Sequence, residues 1–304
     1  MRHIKCTMAR LPAPLQARLE DAARSYFDAP GARVDFAQPN GAAALFKPTS
    51  VAWRVMKNPV ALTIGGVAAV ILELAEPRVR TGVWEHTTFR TDPVARMRRT
   101  GMAAMVTVYG PADAARSMIA GVVRAHGRVE GVTPKGVPYR ANDEELLNWV
   151  NATAGYGFFE AYHRFVRPLS RRELDQVYDE GHEAAALYGA HGAPRSAAEM
   201  AALFDAMAPK LERSEIVFDF LRIVREAPLL PSRALQRLMV RAAVELTPIW
   251  VRRILGLGSP YGLRPGGETA LRALGAASDR LVLASAPPAQ ACVRMGLSAD
   301  YLYR

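Results

Sequence analysis

An all-α fold is predicted by three observations. Apolar residues recur at helical spacing along nearly the whole chain, Ser, Asp and Pro mark the starts of those stretches, and strand signals are confined to one short segment. No low-complexity tract, internal repeat or change of composition divides the chain. The expectation is one large multi-helix domain of roughly ten to twelve helices over residues 46–290. A loosely attached N-terminal helical extension (1–45) precedes it and a C-terminal tail (291–304) follows.

The N-terminal stretch "MRHIKCTMARLPAPLQARLEDAARSYF" carries basic residues but not the continuous apolar core of a secretory signal, and it turns into a polar amphipathic helix. The expected location is therefore the cytoplasm. "PVALTIGGVAAVILELAEP", from Pro59 to Pro77, is apolar up to Glu73, which is shorter than the roughly twenty residues a bilayer-spanning helix needs. It is expected as a helix buried on most sides, with an interfacial contact to membrane left open. Asp92-Pro93 supplies an N-cap and a proline at the first helical position, opening "VARMRRTGMAAMVTVYG". Pro111 opens "ADAARSMIAGVVRAH". "GRVEGVTPKGVPYRA", between Gly127 and Ala141, has a hairpin-like look, though it is short enough to be a loop.

Capping boxes are expected where a Ser or Asn is followed by Glu three residues on: Asn142 with Glu145, Ser170 with Glu173, and Ser196 with Glu199. Each opens a helix. Four more helices are expected at about Glu215 to Glu226, Arg233 to Leu246, Ile249 to Leu255 and Glu268 to Leu281.

Half of the 304 residues are apolar, enough to bury a large core. The net charge of +10 is mostly arginine spread along the chain, with no basic run or aromatic-interleaved motif, so no nucleic-acid partner is expected. Cys6 and Cys292 lie near opposite ends, without metal-ligand or redox spacing, and no disulfide framework is expected.

On "ADAARSMIAGVVRAHGRV", helical spacing puts Ala115, Met118, Ile119, Val122, His126 and Val129 on one stripe. His126 therefore faces the core, where each ring nitrogen needs a partner: a hydrogen bond on each, or a metal on one and an acceptor on the other. Arg96 and Thr100, four apart, share a face beside the stripe of Met97, Gly101, Ala104, Met105 and Val108. Aimed inward they would call for an anion or polar ligand; turned outward they form a solvated basic turn with Arg98 and Arg99. Trp53 and Arg54 fit either an anchor for a carboxylate or a snorkelling arginine. His86, His163, His182 and His191 have no metal spacing to a second ligand. Nucleophile-elbow, metalloprotease, P-loop and dinucleotide motifs are absent, and the glycine-rich "GLGSPYG" follows a helix instead of a strand.

Six stretches taken together carry a resemblance: "TSVAWRVMKNPVALTIGG", "LAEPRVRTGVWEHTTFRTDPVARMRRT", "VVRAHGRVEG", "YRANDEELLNWVNAT", "EAYHRFVRPLS" and "LTPIWVRRILGL". In order and approximate spacing, over roughly Phe46 to Leu257, the chain resembles the oxygenase family that contains fungal MpaB and the bacterial latex clearing protein. That resemblance implies an all-helical protein built around a haem b pocket, cleaving carbon–carbon double bonds of isoprenoid chains with dioxygen. It implies His126 as the iron ligand and Arg96 with Thr100 near the haem, Arg96 being able to stabilise charge on bound oxygen or to hold a propionate. Arg54 is a second candidate for the propionate, and Trp53 and Asn151 are candidates for the pocket.

The chain departs from the family pattern at three positions. Arg99 stands where rubber oxygenases carry a lysine; Glu76 and Asn151 stand where many relatives have histidines. Glu76 is a candidate general base on a substrate C–H, or a structural carboxylate at a helix end. The partners implied are dioxygen and a small hydrophobic substrate. The departures motivate an alternative, a non-catalytic haem or hydrophobic-ligand binding protein.

Overall fold

In a computed structural model, residues 12–27 and 34–304 are described, and Cys6 lies outside them. Fourteen α-helices and one two-stranded hairpin are found among these residues. α1 (Ala13–Phe27) is followed by α2 (Val51–Met56), capped by the Ser50 hydroxyl, and by α3 (Pro59–Glu73), capped by Asn58. α4 (Pro77–His86) leaves α3 at an angle of 111°. α5 (Pro93–Tyr109) opens at Asp92, whose carboxylate accepts from Ala95 N, and α6 (Ala112–His126) opens at Pro111, both as the sequence predicts.

β1 (Glu130–Val132) and β2 (Pro138–Arg140) pair antiparallel, so the hairpin reading of this segment holds. α7 (Glu144–Phe165) and α8 (Arg171–Leu187) come next, then α9 (Ala197–Met207), α10 (Glu215–Glu226), α11 (Arg233–Leu246) and α12 (Ile249–Leu255). α13 (Gly267–Ser278) and α14 (Pro287–Arg294) close the fold. The fold is all-α, with three helices beyond those expected: α2, α4 and α14. Each is at most ten residues long, too short for a clear 3.6-residue periodicity, although Ser50, Pro77 and Pro287 announce them.

Two of the three expected capping boxes are corrected. Ser170 and Glu173 form the full reciprocal pair. Asn142 does not cap α7: Asp143 holds the N-cap position, and the Asn142 amide instead donates to Val123 O at 3.2 Å. Ser196 caps α9 through Glu199 N, but the Glu199 carboxylate reaches back one residue further, to Arg195 N, so the reciprocal half is missing.

α3 is the core helix. Its buried face packs along α7, with α11 and α13 beside it. The approach to α7 is backbone to backbone: a Cβ placed on Gly65 would sit 2.5 Å from Gly157 O, and one on Gly157 2.3 Å from Gly65 O. Only hydrogen on both α-carbons lets the helices meet this closely. No single helix among the described residues is long and apolar enough to cross a membrane.

α1 and α14 are both tied to the same body. Glu20 on α1 accepts from Ala284 N and Ser285 N, and Gln16 donates to Val282 O, so α1 is more firmly attached than the sequence suggests. Arg294, at the end of α14, is buried and donates to Phe36 O, Ala42 O and Tyr109 O. One guanidinium thereby joins the segment before α2, the end of α5 and the C-terminus.

Candidate functional site

α5 and α6 form a helical hairpin closed by the two residues Gly110 and Pro111. Because the arms are 17 and 15 residues long, the start of α5 lies opposite the end of α6. This brings Arg96, near the start of α5, within electrostatic reach of His126, the last residue of α6. Glu73, at the end of α3, completes the group, since it too feels the Arg96 charge.

The hairpin is sealed at its turn and open at this end. Met105, Val106, Val108, Ala115 and Ile119, toward the turn, are buried. Met97, Gly101, Ala104, Met118 and Val122 lie on the inner stripes too, yet keep accessible surface. Glu73 and His126 are likewise only partly covered, although burial dominates the ionisation of both. At this end of the hairpin the inner stripes of α5 and α6 are thus apolar and partly accessible.

Desolvation pushes the Glu73 carboxyl up to about 7, against a smaller lowering by the Arg96 guanidinium. Desolvation lowers the Arg96 pKa, opposed by Glu73 and reinforced by Arg99. Burial, then the Arg96 charge, lowers the His126 pKa, which keeps the imidazole neutral near pH 7. His126 Nδ1 is fully buried and has no hydrogen-bond partner among the described residues. A buried unpaired ring nitrogen costs about 1–3 kcal/mol, so a neutral imidazole in this state is primed for a further partner.

Arg96 donates to the Thr100 hydroxyl, and Thr100 Oγ1 in turn donates to Arg96 O at 3.0 Å. The pair expected from the i,i+4 spacing is therefore present, with Arg96 half-buried and Thr100 on the exposed side. Arg99 is turned away and donates to Thr88 Oγ1 at 2.7 Å.

The remaining candidates lie elsewhere. Glu76 is buried but committed to structure: it caps α4 through Val79 N at 2.8 Å and accepts from Arg78 Nε at 2.6 Å. Trp53 is buried with its indole N–H on Val108 O, packed edge-on to Tyr109. Arg54 pairs with Glu173, the carboxylate of the α8 capping box. Asn151 is half-buried on α7 and makes no side-chain hydrogen bond among the described residues.

His86 meets the Tyr139 hydroxyl at 3.2 Å, and His163 Nδ1 accepts from Leu169 N at 3.0 Å. Sequence reasoning missed Glu73 as a site residue. The available signal was a carboxylate closing an apolar helix that had to be buried. No group of three His, Cys, Asp or Glu side chains that could enclose a metal ion is assembled among the described residues. A haem iron needs only one such side chain, because the macrocycle supplies the equatorial ligands.

The sequence model of the family described as ER-bound oxygenase mpaB/B'/Rubber oxygenase, catalytic domain, matches residues 53–280. The chain belongs to the MpaB/rubber oxygenase family. No curated protein and no solved structure gives a match. The MpaB/rubber oxygenase match begins at Trp53 and ends at Arg280, so it takes in Glu73, Arg96, Thr100 and His126 and leaves α1 and α14 outside. An oxygenase of this family has the hairpin of α5 and α6 and the end of α3 within its catalytic domain.

Proposed function

We propose that the chain is a haem b oxygenase, in which His126 would hold the iron, acting with dioxygen on a small hydrophobic substrate of isoprenoid or lipid-like character. Oxidative cleavage of a carbon–carbon double bond is the reaction class in view. The observation that carries this reading is the neutral His126 ring, with a buried unpartnered nitrogen, at the open end of an apolar hairpin. Haem asks a protein for one neutral imidazole, an apolar slot and cations for its carboxylates. His126, the inner stripes of α5 and α6, and Arg96 answer these needs in turn.

A bound haem b would supply the iron centre at which dioxygen is activated. The protein's own contributions are separate. His126 would hold the iron, and Arg96, steadied by Thr100, would face a propionate or a developing negative charge. Glu73 populates both protonation states near neutrality, so its carboxylate can take a proton from a substrate C–H and return it. Met97, Ala104, Met118 and Val122 favour an apolar substrate and exclude water from these charges.

The test is the absorption spectrum of the chain expressed with haem precursor, beside that of His126→Ala. A Soret band in the parent, lost or shifted in the variant, is expected. A parent that stays colourless after haem is added overturns the reading. A Soret band without product from isoprenoid alkenes under dioxygen replaces it with non-catalytic binding of haem or a hydrophobic ligand.

A further inference from the structure

Away from the α5–α6 hairpin, α10 and α11 run side by side with a crevice between them, and the short turn Ser259–Tyr261 lies over it. Each helix lines the crevice with residues at i, i+3, i+4 and i+7: Phe218, Leu221, Arg222 and Arg225 from α10, and Arg237, Val240, Arg241 and Val244 from α11. The floor is apolar, since Leu221, Val240 and Val244 are buried. Phe218 and Tyr261 make an aromatic wall, their ring centroids 5.5 Å apart at 60°. A space of about 370 Å³, within the usual range for small-molecule sites, lies between Phe218, Leu221, Tyr261, Arg222, Arg225 and Arg237. Val240, Arg241 and Val244 line a much smaller recess that adjoins it at Leu221, Arg225 and Tyr261.

Four arginines converge on the crevice against one lining carboxylate, Glu226. Two are already held in place. Arg222 is paired with Asp219 at 2.8 Å, and Arg241 donates to Pro260 O and Gly262 O at 3.0 and 2.8 Å. Arg225 and Arg237 are exposed and have no hydrogen bond or ion pair among the described residues, which leaves both guanidinium forks open to a ligand from solvent. Burial first, then the charges of Arg264 and Arg225, depress the Arg241 pKa, so the region is electrostatically short of negative charge. Like charges gathered on two facing stripes destabilise the free protein, and an anion seated among them would remove that cost.

We infer that this crevice between α10 and α11 binds a phosphate-bearing small molecule with an attached ring, of nucleotide size, the phosphate on Arg225 and Arg237 and the ring against Phe218, Tyr261 and the apolar floor. Guanidinium forks match phosphate oxygens, and aromatic faces take a planar ring. The inference uses no residue of the haem reading and stands or falls apart from it.

The test is calorimetric titration of the full chain at about 0.15 M salt, where long-range attraction between surface charges is screened. The probes are adenosine 5′-monophosphate, adenosine and inorganic phosphate. The monophosphate is expected to bind at least tenfold more tightly than either fragment. Arg225→Gln and Arg237→Gln should each weaken it at least tenfold, with thermal midpoints in the absence of ligand no lower than the parent's. Arg116→Gln, which removes a cation paired with Glu183 on a different helix, should leave the affinity unchanged. Absence of binding by the monophosphate, equal affinity for inorganic phosphate, or equal weakening in Arg116→Gln each overturns the inference.

Discussion

Arg96 and His126 face one another across the open end of the α5–α6 hairpin, thirty positions apart in sequence and brought together by a two-residue turn. The guanidinium helps to keep the imidazole neutral and at the same time steadies the charged form of Glu73. Burial is the larger cause for both groups, and this one cation modulates the two of them together.

Glu73 carries the clearest dependence on pH. Its carboxyl is raised from an ordinary 4.5 to about 7 in the folded chain, so the folded state binds the proton more tightly than the unfolded one. The favourable contribution of the protonated form is complete below pH 4.5 and is lost as pH rises through 7. Wild type should therefore lose on the order of 1–3 kcal/mol across this window relative to Glu73→Gln. Urea midpoints of the two chains from pH 4 to 8 test this; parallel curves would remove Glu73 as the titrating group.

The close crossing of α3 and α7 predicts a large effect from a single methyl group. Gly157→Ala puts a Cβ against the Gly65 carbonyl, where only movement of two core helices can relieve the overlap. A loss of about 2–4 kcal/mol is expected, at or beyond the upper end for overpacked cores. Gly136→Ala makes a useful contrast. Its added Cβ meets nothing within 4 Å, so the cost comes from its left-handed backbone alone, φ +80°, and should be about 1 kcal/mol.

Ser170 and Asn142 test how far capping was legible. Both precede a glutamate by three residues, and local sequence cannot separate them. Ser170 starts α8 at an exposed position just after the buried Leu169, and its hydroxyl is engaged only with Glu173. Asn142 follows the β2 strand, and its amide donates to the Val123 carbonyl at the end of α6, which also accepts from Gly127 N, and the cap falls to Asp143. Ser170→Ala should cost about 1 kcal/mol, and Asn142→Ala should stay within about 0.5 kcal/mol. Equal losses would restore Asn142 as a cap.

Arg294 shows what a sequence cannot disclose about its own ends. Nothing in "ACVRMG" marks this arginine as different from its neighbours, because the three carbonyls it binds lie 185 or more positions away. Arg294→Ala leaves those carbonyls without their donor in a buried place. A loss of at least about 3 kcal/mol is expected. Arg294→Lys should recover only part of it, since one ammonium cannot span three acceptors fixed around a planar fork.

Periodicity was enough to place His126 inward and Arg96 beside Thr100, because both are properties of one helix. Glu73 was hidden by the opposite circumstance: a carboxylate closing a buried apolar helix is a local signal of burial, but which groups it meets depends on how α3 approaches the hairpin. Glu76, three residues away and equally acidic, is used up by capping α4.

Removing the Arg96 charge tests the three-residue arrangement as a whole. In Arg96→Met the Glu73 carboxylate loses its stabilising cation, so its pKa should rise above 7. The His126 imidazolium loses a repelling neighbour, so its pKa should rise as well, toward the ordinary histidine value. Both groups should therefore move upward, an acid becoming weaker and a base becoming stronger together. Simple loosening would hydrate this end of the hairpin, lower the Glu73 pKa toward 4.5 and raise that of His126, moving them in opposite directions. Carbon-13 titration of the two side chains in the haem-free chain, comparing Arg96→Met with the parent, distinguishes the cases. Opposite shifts would mean that Arg96 matters only for packing, whereas parallel upward shifts would assign it the electrostatic control of both groups.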